Sequence, residues 1–280
     1  MKHIVVTTDF SANSKAGLRF AIQLAAQTNC KISFFHCIEI MKPTGWSNSR
    51  YEEYAYGLIE KAVDKLEAFA DKLLAENKDI KTECHFVTEI SMNPDERVIA
   101  YAQEIKADAI CSSTRGAGAV KKLFGTNASR LINHSPVPVI VVPSNYKSAP
   151  VKNIWYSSDF ENIAQELKTV QSFAAKLSAQ VEVNHYNYLL HEPKTEAVLN
   201  KTVKKYSNAS TKVKLRQLHL DHSLTYYMER DIKKEKPSIV ALFTKQNRNW
   251  FSRLFLGSNS AEMSFATHTP LLIFRKKEKN

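Results

Sequence analysis

The sequence predicts an α/β protein written twice, each copy a parallel sheet with helices on both faces. Three observations predict it. Short apolar runs alternate along the whole chain with stretches whose apolar residues recur at helical spacing. The stretch Ser112 to Pro143 has a twin at Phe243 to Phe274, with the same order of parts: a polar loop, a basic apolar turn, Gly-Ser/Thr-Asn, a short helix, and an apolar strand bounded by Ser/Thr-Pro. Each copy also opens on an apolar strand that ends at an aspartate, Asp9 or Asp159. Strands separated by helices of this length pair in parallel through right-handed crossovers.

In the first copy, His3 to Thr8 is a strand, and a Ser/Asn-rich turn leads into a helix from Ala16 to Thr28 with Leu18, Ala21, Ile22, Leu24 and Ala25 on one face. Ile32 to Ile40 is the second strand. A polar and aromatic segment, Met41 to Tyr56, precedes a helix from about Gly57 to Asn77, where Leu58, Ala62, Leu66, Phe69, Ala70 and Leu73 keep helical spacing. Strand three holds Cys84 to Val87, helix three runs from Pro94 to Ile105, and strands four and five are Ala107 to Cys111 and Val137 to Val142, with a short helix, Asn127 to His134, between them.

The second copy repeats the order: a strand Ile154 to Ser158, a helix near Ala164 to Leu177, a strand Val181 to Tyr188 and a helix Glu196 to Tyr206. A strand Val213 to Leu218, a helix Thr225 to Ile232, a strand Ser238 to Phe243 and a closing helix and strand follow. It is shorter by about 18 residues, mostly in the segment after strand two and the helix that follows. The domains are placed at residues 1–146 and 147–280, joined by a short linker near Ser144 to Pro150.

With 280 residues and 44% apolar content, each copy can build its own core. Met1-Lys2-His3 leads straight into a strand, and no apolar run approaches the ~20 residues of a membrane span. A soluble, cytoplasmic protein that makes no membrane contact is expected. Cys30, Cys37, Cys84 and Cys111 lack CxxC spacing and lie mostly in strand-like runs, so buried thiols are expected and not disulfides or zinc. The formal charge of +11 is dispersed along helices and turns, with its densest run in the tail from Arg275 to Lys279. No helix-turn-helix, zinc-finger spacing or basic-aromatic strand pattern accompanies it, and nucleic acid is not an expected partner.

The first copy carries the more suggestive loop. Strand four delivers the chain to Gly116 and Gly118, residues that allow sharp turns and close approach of a ligand to the backbone. After Gly125, Thr126 suits an N-cap, and the exposed amides of the helix that follows would suit a phosphate or another anion, with Arg115, Lys121 and Lys122 adding charge. A plain helix start explains the same residues.

The opening VVTTDFSANSKAGLRFAIQLA, the strand-two ending FFHCIE and the Gly-Thr-Asn helix followed by HSPVPVIVVP resemble the universal stress protein family in its tandem two-domain form. The resemblance implies doubly wound, Rossmann-like five-stranded sheets in the order 3-2-1-4-5, and domains that associate in pairs through their last strands. A chain with two copies would then be an intramolecular pseudo-dimer, with self-association into a homodimer also expected. Some members bind ATP, and their marker is Gly-x2-Gly-x9-Gly-Ser/Thr. Here the first two glycines fall on Ser112 and Arg115, with Gly116 and Gly118 beside them. In copy two the same count gives Thr244 and Asn247, and Trp250 stands where copy one has Gly118, so that loop reads as degenerate.

In a sheet of this order, ligands sit beyond the carboxyl ends of strands one and four. Copy one would collect Thr7, Asp9, Cys37, Ile38, Ser112, Arg115, Gly116, Gly118, Gly125, Thr126 and Asn127 there. By resemblance, Asp9 and the strand-two residues would face adenine, and Gly125, Thr126 and Asn127 the phosphates of ATP with magnesium. Asp9 is equally well a helix-leading cap, and Arg115 either replaces a glycine with charge or fills the site. His219, Asp221 and His222 are metal-ligand types without an evident partner and read as a surface turn; Tyr51, Tyr54 and Tyr56 read as a lid, an oligomer contact or loop packing. No catalytic constellation stands out. The functional expectations are a stress-response regulatory module, an ATP sensor using copy one only, or an enzyme acting slowly on ATP or another nucleotide-like substrate.

Overall fold

A computed structural model of the chain describes residues 1–76, 81–114, 126–188, 196–207, 211–219, 221–244 and 268–276. They form two compact units, divided between Ser148 and Ala149.

In the first unit the strands are β1 (His3–Thr7), β2 (Lys31–Ile38), β3 (Cys84–Ile90), β4 (Ala109–Ser113) and β5 (Val139–Val142). They lie in the order β3-β2-β1-β4-β5, every pair parallel. Helices α1 (Lys15–Thr28), α2 (Asn48–Leu74), α3 (Pro94–Glu104) and α4 (Thr126–His134) connect them. The central strands are apolar on both faces because helices cover both: Ile4, Val5, Val6, Ile110 and Cys111 are fully buried, and α1 adds Leu18, Phe20, Ile22 and Leu24.

The second unit repeats the winding with β6 (Asn153–Ser157), β7 (Gln180–Tyr188), β8 (Lys212–Leu218), β9 (Ile239–Thr244) and β10 (Leu271–Arg275), in the order β8-β7-β6-β9-β10 and again parallel. Its described helices are α5 (Ile163–Ala175), α6 (Glu196–Tyr206) and α7 (Leu224–Glu235). The closing helix expected before β10 lies outside the described residues.

One element differs clearly from its sequence expectation. Helix α2 begins at Asn48 and not near Gly57, so most of the supposed loop after β2 is helical. Ser47 caps it, its side chain accepting from the Arg50 amide at 3.2 Å, and Arg50 packs over the Trp46 ring. Apolar periodicity could not find this start, because the buried residues of α2 are Leu66, Ala70 and Leu73, all near its other end.

Candidate functional site

The first unit opens a crevice where its winding reverses, between the carboxyl ends of β1 and β4, and the turn after β1 forms one wall. Phe10 takes a left-handed φ of 62°, a conformation costly for a bulky residue. Local bonds hold it there. The Thr8 hydroxyl accepts from the Phe10 amide at 3.0 Å and pairs with the Ser14 hydroxyl at 2.8 Å, while Asp9 accepts from the Ser11 amide at 3.0 Å. The Phe10 ring lies 4.3 Å from that of His36, whose Nδ1–H donates to the Thr8 carbonyl at 2.9 Å. That bond leaves Nε2 as the bare nitrogen of a neutral ring.

The rest of the lining comes from the ends of other elements. β2 and the residue after it give His36, Cys37 and Glu39; β4 gives Ser112 and Ser113, followed by Thr114; α3 gives Asp95 and Val98; and α4 gives Asn127, Ala128 and Leu131. Helix α1 approaches β4 closely at Gly17, whose amide donates to Ser113 Oγ at 2.7 Å while that hydroxyl donates to the Ser14 carbonyl at 3.0 Å. A Cβ at Gly17 would stand 2.8 Å from Ser113 Oγ.

Of the residues expected at a nucleotide site, Thr7, Asp9, Cys37, Ser112 and Asn127 line this crevice together. Ile38 does not line it; it is held in the β2–β3 pairing opposite Ile90, and its carbonyl accepts from the Ser91 amide. Thr126 begins α4. Arg115, Gly116, Gly118 and Gly125 lie outside the described residues. Sequence reasoning takes His36, within a strand, for a core or edge histidine and does not single out Ser113 or Gly17. A glycine inside a helix that costs about 1 kcal/mol relative to alanine was the available signal for the last.

The charges suit binding better than nucleophilic chemistry. Burial pushes the Cys37 thiol up to about 11, so it is un-ionised at neutral pH. Burial also works against ionisation of Asp9, but bonds from Ser11 and Ser14 outweigh it and hold its carboxyl below the usual range.

Burial lowers the pKa of His36, and burial reinforced by the neighbouring His85 lowers that of His3. Both folded values lie below the ordinary one, so the unfolded chain binds protons first. Stability is therefore expected to fall as the pH drops through about 6.5 and to recover above it. Urea unfolding at pH 7.5 and 5.5 checks this; the loss should shrink in His36→Gln, and an unchanged loss in both His36→Gln and His3→Gln would refute the assignment.

The second unit keeps the turn and carries larger side chains at several equivalent strand positions. Phe160 has a φ of 65°, its amide donates to Ser158 Oγ, the Glu161 amide donates to Asp159, and His185 Nδ1 donates to the Ser158 carbonyl. Tyr156 stands where the first unit has Val6, since these residues pair with Ala241 and Cys111 in matching registers. Phe243 and Phe274 stack across adjacent strands, 5.0 Å between centroids, where the first unit has Ser113 and Val142. Elsewhere in this unit His222 stacks on Tyr226 at 3.9 Å, and Asp221 accepts from the Tyr227 hydroxyl at 2.5 Å. No group of three metal-ligating side chains occurs among the described residues, and no described helix is long and apolar enough to cross a membrane.

Comparison with known proteins agrees with this fold. A sequence model of the universal stress protein family matches residues 1–143. Putative universal stress proteins from several strains of Staphylococcus aureus are 28% identical over 151 residues, covering 50% of this chain and 83% of theirs. The crystal structure of a universal stress protein from Archaeoglobus fulgidus aligns over 98% of this chain and 96% of its own, with a TM-score of 0.64 and 15% identity. That of a putative universal stress protein from Pseudomonas aeruginosa covers 98% and 93%, with a TM-score of 0.59 and 14% identity.

Proposed function

Because the chain belongs to the universal stress protein family, we propose that it is a regulatory module whose first unit binds a nucleoside triphosphate, ATP with magnesium, and whose second unit does not. The observation that carries this reading is the open crevice between β1 and β4, lined by Asp9, Ser112 and Asn127, the last from the first turn of α4. In a doubly wound sheet that is where ligands sit, and a helix start offers amides to phosphate. Asp9 and Cys37 would lie toward the base and ribose, Thr126 and Asn127 toward the phosphates. Association with itself and with other proteins would transmit the bound state.

Calorimetric titration of ATP and magnesium into nucleotide-stripped protein tests the reading. Saturable heat near one site per chain is expected, with its loss in Thr126→Asp, where a carboxylate would face the phosphates. A folded protein that gives no heat would overturn it and direct attention to protein partners. Turnover abolished by Asp9→Ala would instead argue for an enzyme.

A further inference from the structure

Beside the turn after β6 the second unit holds an ion cluster with no counterpart among the described residues of the first. Lys276, just past β10, has a side chain only 5% exposed. Its Nζ lies 2.5 Å from Asp159 Oδ2, 3.0 Å from Glu161 Oε2 and 3.7 Å from Glu166 Oε1. An ammonium has three N–H groups, and three carboxylates surround this one. Glu166 is itself buried, 4% exposed, on α5; its other oxygen accepts from the Tyr156 hydroxyl at 2.5 Å. Its Oε1 faces the ammonium beyond hydrogen-bond reach and has no hydrogen-bond partner among the described residues.

The same positions in the first unit are small or neutral. Lys276 follows β10 as Ser144 follows β5: the carbonyls of Pro270 and Pro138, six residues before each, accept from the amides of Val240 and Ile110. Glu166 corresponds to Gly17, since each stands twelve residues before a left-handed residue beyond its helix, Ser178 and Asn29, both at φ 52°. Tyr156 corresponds to Val6. Asp159 alone has an acidic equivalent, Asp9, and Ser144 stands at the position of Lys276.

We propose that the cluster of Asp159, Glu161 and Glu166 is a binding site for a primary ammonium group, with Lys276 as its resident ligand. Asp159 and Glu161 bond the ammonium directly, so the cluster accepts an alkylammonium of lysine's length once the side chain is removed. Bonds to Asp159 and Glu161 outweigh burial and keep the lysine protonated. The inference concerns the second unit alone and does not depend on nucleotide binding in the first.

Lys276→Ala removes three methylenes and the ammonium, which together are n-propylammonium. In the full chain this substitution is expected to lower the Tm by roughly 5–15 °C. Added n-propylammonium chloride should raise it again saturably, while tetramethylammonium chloride at equal ionic strength should not and the parent protein should respond to neither. Equal response to both salts, or no fall in Tm, would overturn the proposal. Should Lys276→Ala fail to fold, amine labelling of the intact parent followed by mass spectrometry replaces it. Lys276 should label far more slowly than Lys236, and at least tenfold faster in Asp159→Asn. Labelling of Lys276 at the rate of Lys236, or a rate unchanged in Asp159→Asn, would count against the site.

Discussion

Arg216→Met is expected to cost about 3–5 kcal/mol, because it removes the cation on which a half-buried network converges. Arg216, on β8, is 13% exposed. Its Nε donates to Asn184 Oδ1 at 2.7 Å, Nη1 to Asp231 at 3.2 Å and Nη2 to Glu235 at 2.8 Å, and the guanidinium lies 4.2 Å from the centroid of the Trp155 ring. The fork thus joins an edge strand, its neighbour β7 and helix α7. Methionine restores the volume but takes the Arg216 donor from Asn184, fully buried, and one donor from Asp231, 6% exposed, which keeps Arg230 and the Tyr186 hydroxyl.

Arg216→Lys should fall between, keeping the charge while losing the planar fork. The pH dependence identifies the mechanism. Burial would raise the Glu235 pKa, but bonds from Lys214 and Arg216 outweigh it and hold it low, so its contribution is present above the unfolded carboxylate value and lost as the pH falls through the folded one. The gap between parent and Arg216→Met in urea unfolding should therefore narrow below about pH 4. A gap that stays constant down to pH 3 would assign the effect to packing on Trp155.

Gly17→Glu should be nearly as damaging, at about 3–5 kcal/mol, and should abolish any nucleotide binding by the first unit. The first added carbon already meets Ser113 Oγ at 2.8 Å and the β4 backbone at 3.3 and 3.4 Å. Leaving glycine gains about 0.5–1 kcal/mol of helix propensity, which does not offset overpacking of about 1–3 kcal/mol. The carboxylate then adds its desolvation. Glu166 tolerates the equivalent position because Tyr156 and Lys276 meet it, whereas Val6 and Ser144 cannot. Gly17→Ala, which lacks the charge, should lose only about 1 kcal/mol. A loss that small for Gly17→Glu would show that α1 can shift away from β4.

These contrasts explain what was legible in the sequence. The alternating elements were, because buried parallel strands are continuous apolar runs and α1, α5 and α7 show one-sided periodicity. The strand-end residues Thr7, Asp9 and Ser112 followed from the strand boundaries. The start of α2 was hidden, since a helix face that packs on little carries no apolar period. The cluster of the second unit was also hidden: Tyr156, Phe243, Glu166 and Lys276 are ordinary residues for a strand, a helix or a basic tail, and only the fold brings them together.

Helix α2 is about 40 Å long, and its deeply buried residues all lie in its last turns. Its first turns depend on their own backbone bonds, the Ser47 cap and the Trp46–Tyr54 edge contact. A helical segment supported mainly by local bonds is only marginally stable in water. The helix should therefore melt from one end, its leading amides exchanging with solvent by brief local opening while those near Leu66 and Leu73 exchange only when the unit unfolds. The longest helix of the first unit would then be two segments of different lifetime, an anchored stem and a tip that can reorganise without disturbing the sheet.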